Sequence, residues 1–209
     1  MSTFNPLFTA SEVYNFAKVE KREGWNENDR LLYRRIMDFD IDGDPANVSF
    51  AERLARENRW SLAFSKRVIH EYKRFVFLVV TGDRPLTPSD QVDQAWHLHL
   101  TYTRSYWDRF CAETLGRPLH HGPTRGGAAE ASKFMAWYRD TLKRYQCVFL
   151  TPPPLDIWPD AATRFGDDVY FQRVNARRYW FVQKPSSLVT YALLAVSLWI
   201  VLKVKEGLC

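Results

Sequence analysis

The sequence predicts a mostly α-helical protein: a compact helical domain followed by a C-terminal hydrophobic helix. Three observations carry that reading. Apolar residues recur every three or four positions in several windows, as at Phe64, Val68, Tyr72, Phe75 and Val79, which is the period of a helix with one buried face. Helix-start residues stand just before those windows. No segment shows the strand–helix alternation or glycine-rich turn of a nucleotide-binding fold. The 209 residues are 46% hydrophobic and 15% aromatic, enough to build a core, so wholesale disorder is excluded.

Taken in order, Thr9, Ser11 and Glu12 predict the start of a short helix over residues 10–20. Leu31, Leu32, Tyr33, Ile36 and Met37 predict a second over 26–37. Ser49, with Glu52 three residues on, reads as a capping box for a helix from Phe50. A longer helix over 62–80 follows, ended by Gly82 and Pro85. Thr87-Pro88-Ser89-Asp90 then places a cap, a first-turn proline and an acid, and predicts one helix from Pro88 to about Phe110. Residues 116–127 read as a loop and 128–145 as another amphipathic helix. Pro152, Pro153 and Pro154 stop regular structure, and residues 155–184 read as short, aromatic and irregular. The domain is expected over 1–184.

The C-terminus has a different character. LVTYALLAVSLWIVL, residues 188–202, carries no charge. With its flanks, residues 185–204 give about 30 Å of helix, the thickness of a bilayer core. Lys184, Lys203 and Lys205 would reach the interfaces, and residues 205–209 would form a short tail. The sequence therefore predicts a single-pass membrane anchor. The basic cluster Arg173, Arg177, Arg178 and Lys184 before it places the main domain in the cytoplasm. The net charge of +5 comes without a dense basic tract, so no nucleic-acid partner is indicated. Cys111, Cys147 and Cys209 are far apart and form no CxxC, which fits neither a disulfide framework nor a cysteine zinc site.

The sharpest chemical feature is a histidine cluster. His97, His99, His120 and His121 lie in VDQAWHLHLTYTRSYWDRFCAETLGRPLHHGP. On a helix Asp93 and His97 are four apart and share a face, whereas His99 lies about 200° round from His97. Two constellations follow: Asp93–His97, and His99 with Tyr102 and Tyr106. The His120–His121 loop can return to either. Asp93, His97 and a loop histidine would make a three-ligand site with an open position for zinc, iron or manganese. His99 and Tyr106 are the candidates for positioning substrate or moving protons. A satisfied structural network of the same side chains is the competing reading. His70-Glu71 begins like HExxH, but Arg74 stands where the second histidine is needed. Asp38, Asp40, Asp42 and Gly43 match four positions of a calcium loop, yet Ser49 stands where the bidentate glutamate belongs. Cys111 shows no clear base partner, and Thr124-Arg125-Gly126-Gly127 is only a fragment of an anion-binding loop.

Asp93, Trp96, His97, His99, Tyr106, Cys111 and the 116–123 loop, with the upstream FAERLARENRW and HEYKRF segments, resemble the glycine-rich domain-containing protein-like family. The likeness spans residues 49–158. The glycine-rich tail of its longer members is replaced here by the hydrophobic terminus. The resemblance implies a helical domain with a shared histidine centre and supplies no reaction. With no catalytic set complete, the expected function is a membrane-tethered binding or scaffolding domain with a polar His/Asp/Tyr centre, contacting a protein or small ligand. The alternative is a metal-dependent enzyme, a hydrolase, built on Asp93, His97 and His120 or His121.

Overall fold

The computed structural model describes residues 25–43, 48–122, 128–166 and 187–206. The helix predicted over 10–20 and the turn at 124–127 lie outside them. The described residues are mostly helical and contain no strand. They form α1 (Glu27–Asp38), α2 (Phe50–Asn58), α3 (Leu62–Val80), α4 (Asp90–Thr101), α5 (Arg104–Leu115), α6 (Ala128–Phe149), α7 (Ala161–Gly166) and α8 (Ser187–Glu206). The chain divides into two units, Met1–Tyr170 and Phe171–Cys209, and α8 is the described element of the second.

Local chemistry explains most starts. Asn26 and Ser49 close capping boxes with Asp29 and Glu52, each satisfying two backbone donors reciprocally. Ser61 accepts from Phe64 N–H to start α3. The cap of α4 is Ser89, which accepts from Val92 N–H at 3.2 Å, and not Thr87. Thr87 is buried and exchanges bonds with Thr141 of α6: its N–H donates to Thr141 Oγ1 and its carbonyl accepts from the same hydroxyl, both at 3.0 Å. The single helix predicted from Pro88 to Phe110 is broken. Tyr102 leaves helical backbone at φ −87°, ψ 62°, and α5 begins two residues later as a π-helix, a winding with i→i+5 bonds. The Tyr102 ring packs edge-on against Phe50 at 5.3 Å, under the Arg53 guanidinium. Helix α7 was not expected; Asp160 Oδ1 accepts from Ala162 and Thr163 N–H to start it.

Helix α3 is the axis of the first unit, packed against α1, α2, α4 and α6. Its buried positions include Val68, Tyr72, Phe75, Val76, Phe77 and Leu78, a wider face than a surface helix presents. That face also carries charge. Glu71 is 5% exposed. Its Oε2 accepts from Trp158 Nε1–H at 2.9 Å; its Oε1 accepts from Tyr145 Oη–H at 3.1 Å and from Arg74 Nη1–H at 3.4 Å. Arg74 donates a very short bond to Tyr145 Oη and lies over the Phe149 ring at 4.6 Å. Burial pushes the Glu71 pKa up, against Arg74 and the three donors that pull it down. Burial also opposes the Arg74 charge, but Tyr33, Glu71 and Tyr145 more than offset it and its pKa is raised.

The membrane expectation is corrected. Among the described residues no helix is long and apolar enough to cross a membrane. Helix α8 spans Ser187–Glu206, but its uncharged run is only the fifteen residues 188–202. That is about 22 Å, against the roughly 30 Å of a bilayer core. Lys203, Lys205 and Glu206 fall in its last turn. The single-pass anchor, membrane partner and membrane localisation expected from the sequence are therefore not supported.

Trp158→Phe keeps an aromatic ring in the core but leaves Glu71 Oε2 without its indole donor. The expected loss is about 1–3 kcal/mol of unfolding free energy, read from denaturant midpoints with an unchanged m-value. Glu71→Ala strands Arg74 and is expected to cost about 3–5 kcal/mol.

Candidate metal centre

Asp93 and His97 stand one turn apart on α4. The loop after α5 brings His121 to them. One ligand atom from each of the three lies within 4.8 Å of the others. His121 Nε2 is 2.7 Å from Asp93 Oδ1, and His97 Nε2 is 3.9 Å from Asp93 Oδ2. The two imidazole centroids are 4.4 Å apart. Exposure is graded: the His97 side chain is 50% exposed, those of Asp93 and His121 20% and 18%. Asp93 and His121 are thus mostly covered, and His97 is the member of the group that faces solvent. A first-row metal requires donors at roughly 2.0–2.2 Å, and three donor atoms within 4.8 Å of one another are close enough together to share one ion.

The other two histidines of the cluster are elsewhere. His120 is exposed and faces Trp107, with ring centroids 5.6 Å apart. His99 is wholly buried on the far side of α4, as the helical angle from His97 requires. Its ring lies edge-on to Tyr106 at 5.0 Å, while Tyr102 of the predicted constellation packs on Phe50 instead. The polar partners of His99 are Tyr72 Oη at 2.9 Å from Nδ1 and Ser105 Oγ at 3.4 Å from Nε2. The tautomer follows by elimination. Ser105 has one proton and donates it to the Ile41 carbonyl at 2.6 Å, so it must accept from His99 Nε2–H. Nδ1 is then the acceptor and Tyr72 the donor. The chain Tyr72→His99→Ser105→Ile41 runs one way, and its direction is wrong for activating Ser105 as a nucleophile. Burial, then Lys73 and Arg109, push the His99 pKa down to about 3.

What holds His121 in place is Tyr106. Its hydroxyl donates to the Leu119 carbonyl and accepts from Trp96 Nε1–H at 2.9 Å. Trp96 packs edge-on to the His121 ring, centroids 4.5 Å apart. Tyr106 therefore acts through the backbone two residues before His121 and through the indole beside it. Its pKa is above the ordinary range, burial being the main cause, so it is a neutral donor. Tyr106, a candidate from the sequence for positioning substrate or moving protons, ties the loop to α5 through these bonds. Tyr72, Trp96, Ser105 and Leu119 were not singled out as polar partners, because their apolar spacing reads as core.

The remaining candidates have structural partners. Asp42 Oδ1 accepts from Phe50 N–H at 2.8 Å, Lys73 Nζ donates to the Met37 and Phe39 carbonyls, and Arg109 Nη2 donates to the Asp40 carbonyl. Cationic side chains hold the acidic loop that partly matches a calcium loop, and Ser49 is a helix cap. Burial pushes the Cys111 thiol up, against thiolate reactivity. Burial, Arg74 and Lys73 depress His70 to about 3, as for His99.

Residues 47–136 are similar to the UCP032817-like family, an uncharacterised family. This replaces the resemblance to the glycine-rich domain family: the 93–121 phrase lies inside the matched segment, and the family comparison shows no glycine-rich domain family. Asp93, His97 and His121 all fall within the match. No curated protein and no solved structure shows significant similarity.

Two measurements check this geometry. His99 binds a proton near 6.5 when unfolded and near 3 when folded, so the unfolded state holds more protons in that window. His70, depressed likewise, acts in the same window. Stability is present above about pH 6.5 and falls with decreasing pH by up to roughly 1.4 kcal/mol per unit for each of the two histidines. Denaturation between pH 6.5 and 5 is expected to show the summed slope, and His99→Gln to remove about half of it. Tyr106→Phe leaves the Leu119 carbonyl and Trp96 N–H unpaired. It is expected to cost about 1–3 kcal/mol and to shift the His121 ring resonances while leaving those of His70 in place.

Proposed function

We propose that the helical domain is a metal-binding module that takes one divalent transition metal, zinc, iron or manganese, on Asp93, His97 and His121. The observation that carries the reading is the convergence of one carboxylate and two imidazole donors within 4.8 Å. Two come from adjacent turns of a helix and the third from a loop tied down by Tyr106. Two imidazoles and one carboxylate form a ligand set that suits these ions and leaves coordination positions free. The half-exposed His97 side offers those positions to solvent.

Such a bound ion supplies Lewis acidity and lowers the pKa of a coordinated water, which makes hydrolysis the reaction class to screen. The protein's part is to hold three donors at fixed positions and to keep one side open. His120 has no place in this set; it belongs to the aromatic surface with Trp107. His99 has none either, since both ring nitrogens are engaged in the core.

Elemental analysis and zinc titration of the full chain, purified without a histidine tag, test the proposal. Near one equivalent of metal is expected. Asp93→Ala and His121→Ala should each weaken zinc binding by more than the roughly 10–100-fold that losing an outer partner costs, with circular dichroism unchanged. His120→Ala should bind as wild type. Absence of metal after reloading, or equal effects of the His120 and His121 substitutions, would overturn the assignment.

A further inference from the structure

A second polar site lies at the other end of α4. Where α4 breaks and α5 begins, a cleft of about 650 Å³ opens, lined by Asp42, Gly43, Tyr102, Arg104, Ser105 and Arg109 among others. It shares no residue with the Asp93–His97–His121 group. Its size is that of pockets that hold small organic molecules, far larger than a single ion needs.

Its walls carry two guanidiniums against one carboxylate, Asp42. Arg104 is exposed and makes no ion pair among the described residues. Arg109 makes none either, but it is held in place. Its guanidinium lies over the Phe39 ring at 5.1 Å, donates from Nη2 to the Asp40 carbonyl at 2.9 Å, and rests against Gly43. Gly43 sits at φ +76°, and a Cβ there would collide with that guanidinium. The position therefore needs glycine twice over, for its backbone and for its neighbour. The guanidinium is pre-organised while its remaining N–H groups stay unassigned. The i→i+5 winding of α5 brings residues five apart together, which is how Arg104 and Arg109 reach the same cleft. Ser105 has already given its one proton to the Ile41 carbonyl. The acceptor in the cleft, Asp42, has Oδ1 engaged by Phe50 N–H. Asp42 Oδ2 and its charge stay in the cleft, and against that single carboxylate stand two guanidiniums and the Tyr102 hydroxyl, which leaves donors in excess.

We propose that this cleft binds a small organic phosphate monoester, with Arg104 and Arg109 on the phosphate and the Tyr102 side accommodating the organic body. A phosphate offers three acceptor oxygens and close to two negative charges, matching paired arginines better than one carboxylate does. Planar guanidinium forks bind such oxygens bidentately.

The test is titration of the isotope-labelled full chain with phenyl phosphate at constant ionic strength, read from amide resonances. Saturable shifts are expected at Gly43, Thr103, Arg104 and Arg109. Arg104→Gln, on the exposed rim, and Arg109→Lys, which keeps charge and packing volume, should each weaken binding by at least about tenfold. His97→Ala should leave it unchanged. Inorganic phosphate and benzoate should bind more weakly. Absence of saturation at millimolar phenyl phosphate, wild-type affinity in both arginine variants, or loss of binding in His97→Ala would overturn the proposal. So would inorganic phosphate or benzoate binding as tightly as phenyl phosphate.

Discussion

A carboxylate buried in an aromatic core must find donors, and the first unit is organised around how Glu71 finds them. Each of its two oxygens is met by a different stretch of chain: Trp158 from beyond the triple proline, Tyr145 from α6, Arg74 from its own helix. An uncompensated charge there would cost several kcal/mol. The packing of α6 and of the segment reaching Trp158 against α3 is thus fixed by a polar requirement and not by shape alone. Apolar contacts surround it, with Trp25, Tyr33, Phe77 and Phe149 clustered on the same side. Those rings would tolerate many arrangements; the three donors tolerate few.

Helix α4 divides the molecule's polar chemistry between its two faces. His97 and His99 are two residues apart and do opposite things. One joins Asp93 at the surface; the other is locked, neutral, between Tyr72 and Ser105. The same helix ends at Tyr102, and the break lets α5 start with a different winding. Both polar sites thus depend on α4, one near its start and one at its end.

Much of the helical framework was legible because it is local. The Ser49 box and the Asp93–His97 spacing sit within about a turn of sequence, and the long α3 pattern repeats from each turn to the next. What was not legible depends on distant partners. Thr87 and Ser89 are equally good caps in isolation; Thr141, 54 positions on, pairs with the backbone of Thr87 and holds that residue against α6. His120 and His121 cannot be told apart from spacing, because the Tyr106–Leu119 bond decides which one turns inward. The π-winding of α5 hides behind Tyr106, Phe110 and Leu115, whose spacing of four and five suits either helix. The C-terminal run read as a span only when flanks with charges were counted into it.

The tie between Tyr106 and Leu119 says something about how this chain can change over time. His121 is presented by a segment whose order is borrowed from a helix, so the intervening residues 112–118 answer chiefly to a length rule. Apart from Leu115, which is buried in the core, and Gly116, at φ +69°, their side chains are mostly exposed and can be exchanged as long as the Leu119 carbonyl arrives at the Tyr106 hydroxyl. An insertion or deletion there is another matter. Shifting the register by one residue would hand the tie to Pro118 or His120 and carry the following imidazole away from Asp93. For this loop, divergence by substitution is cheap and divergence by length is not.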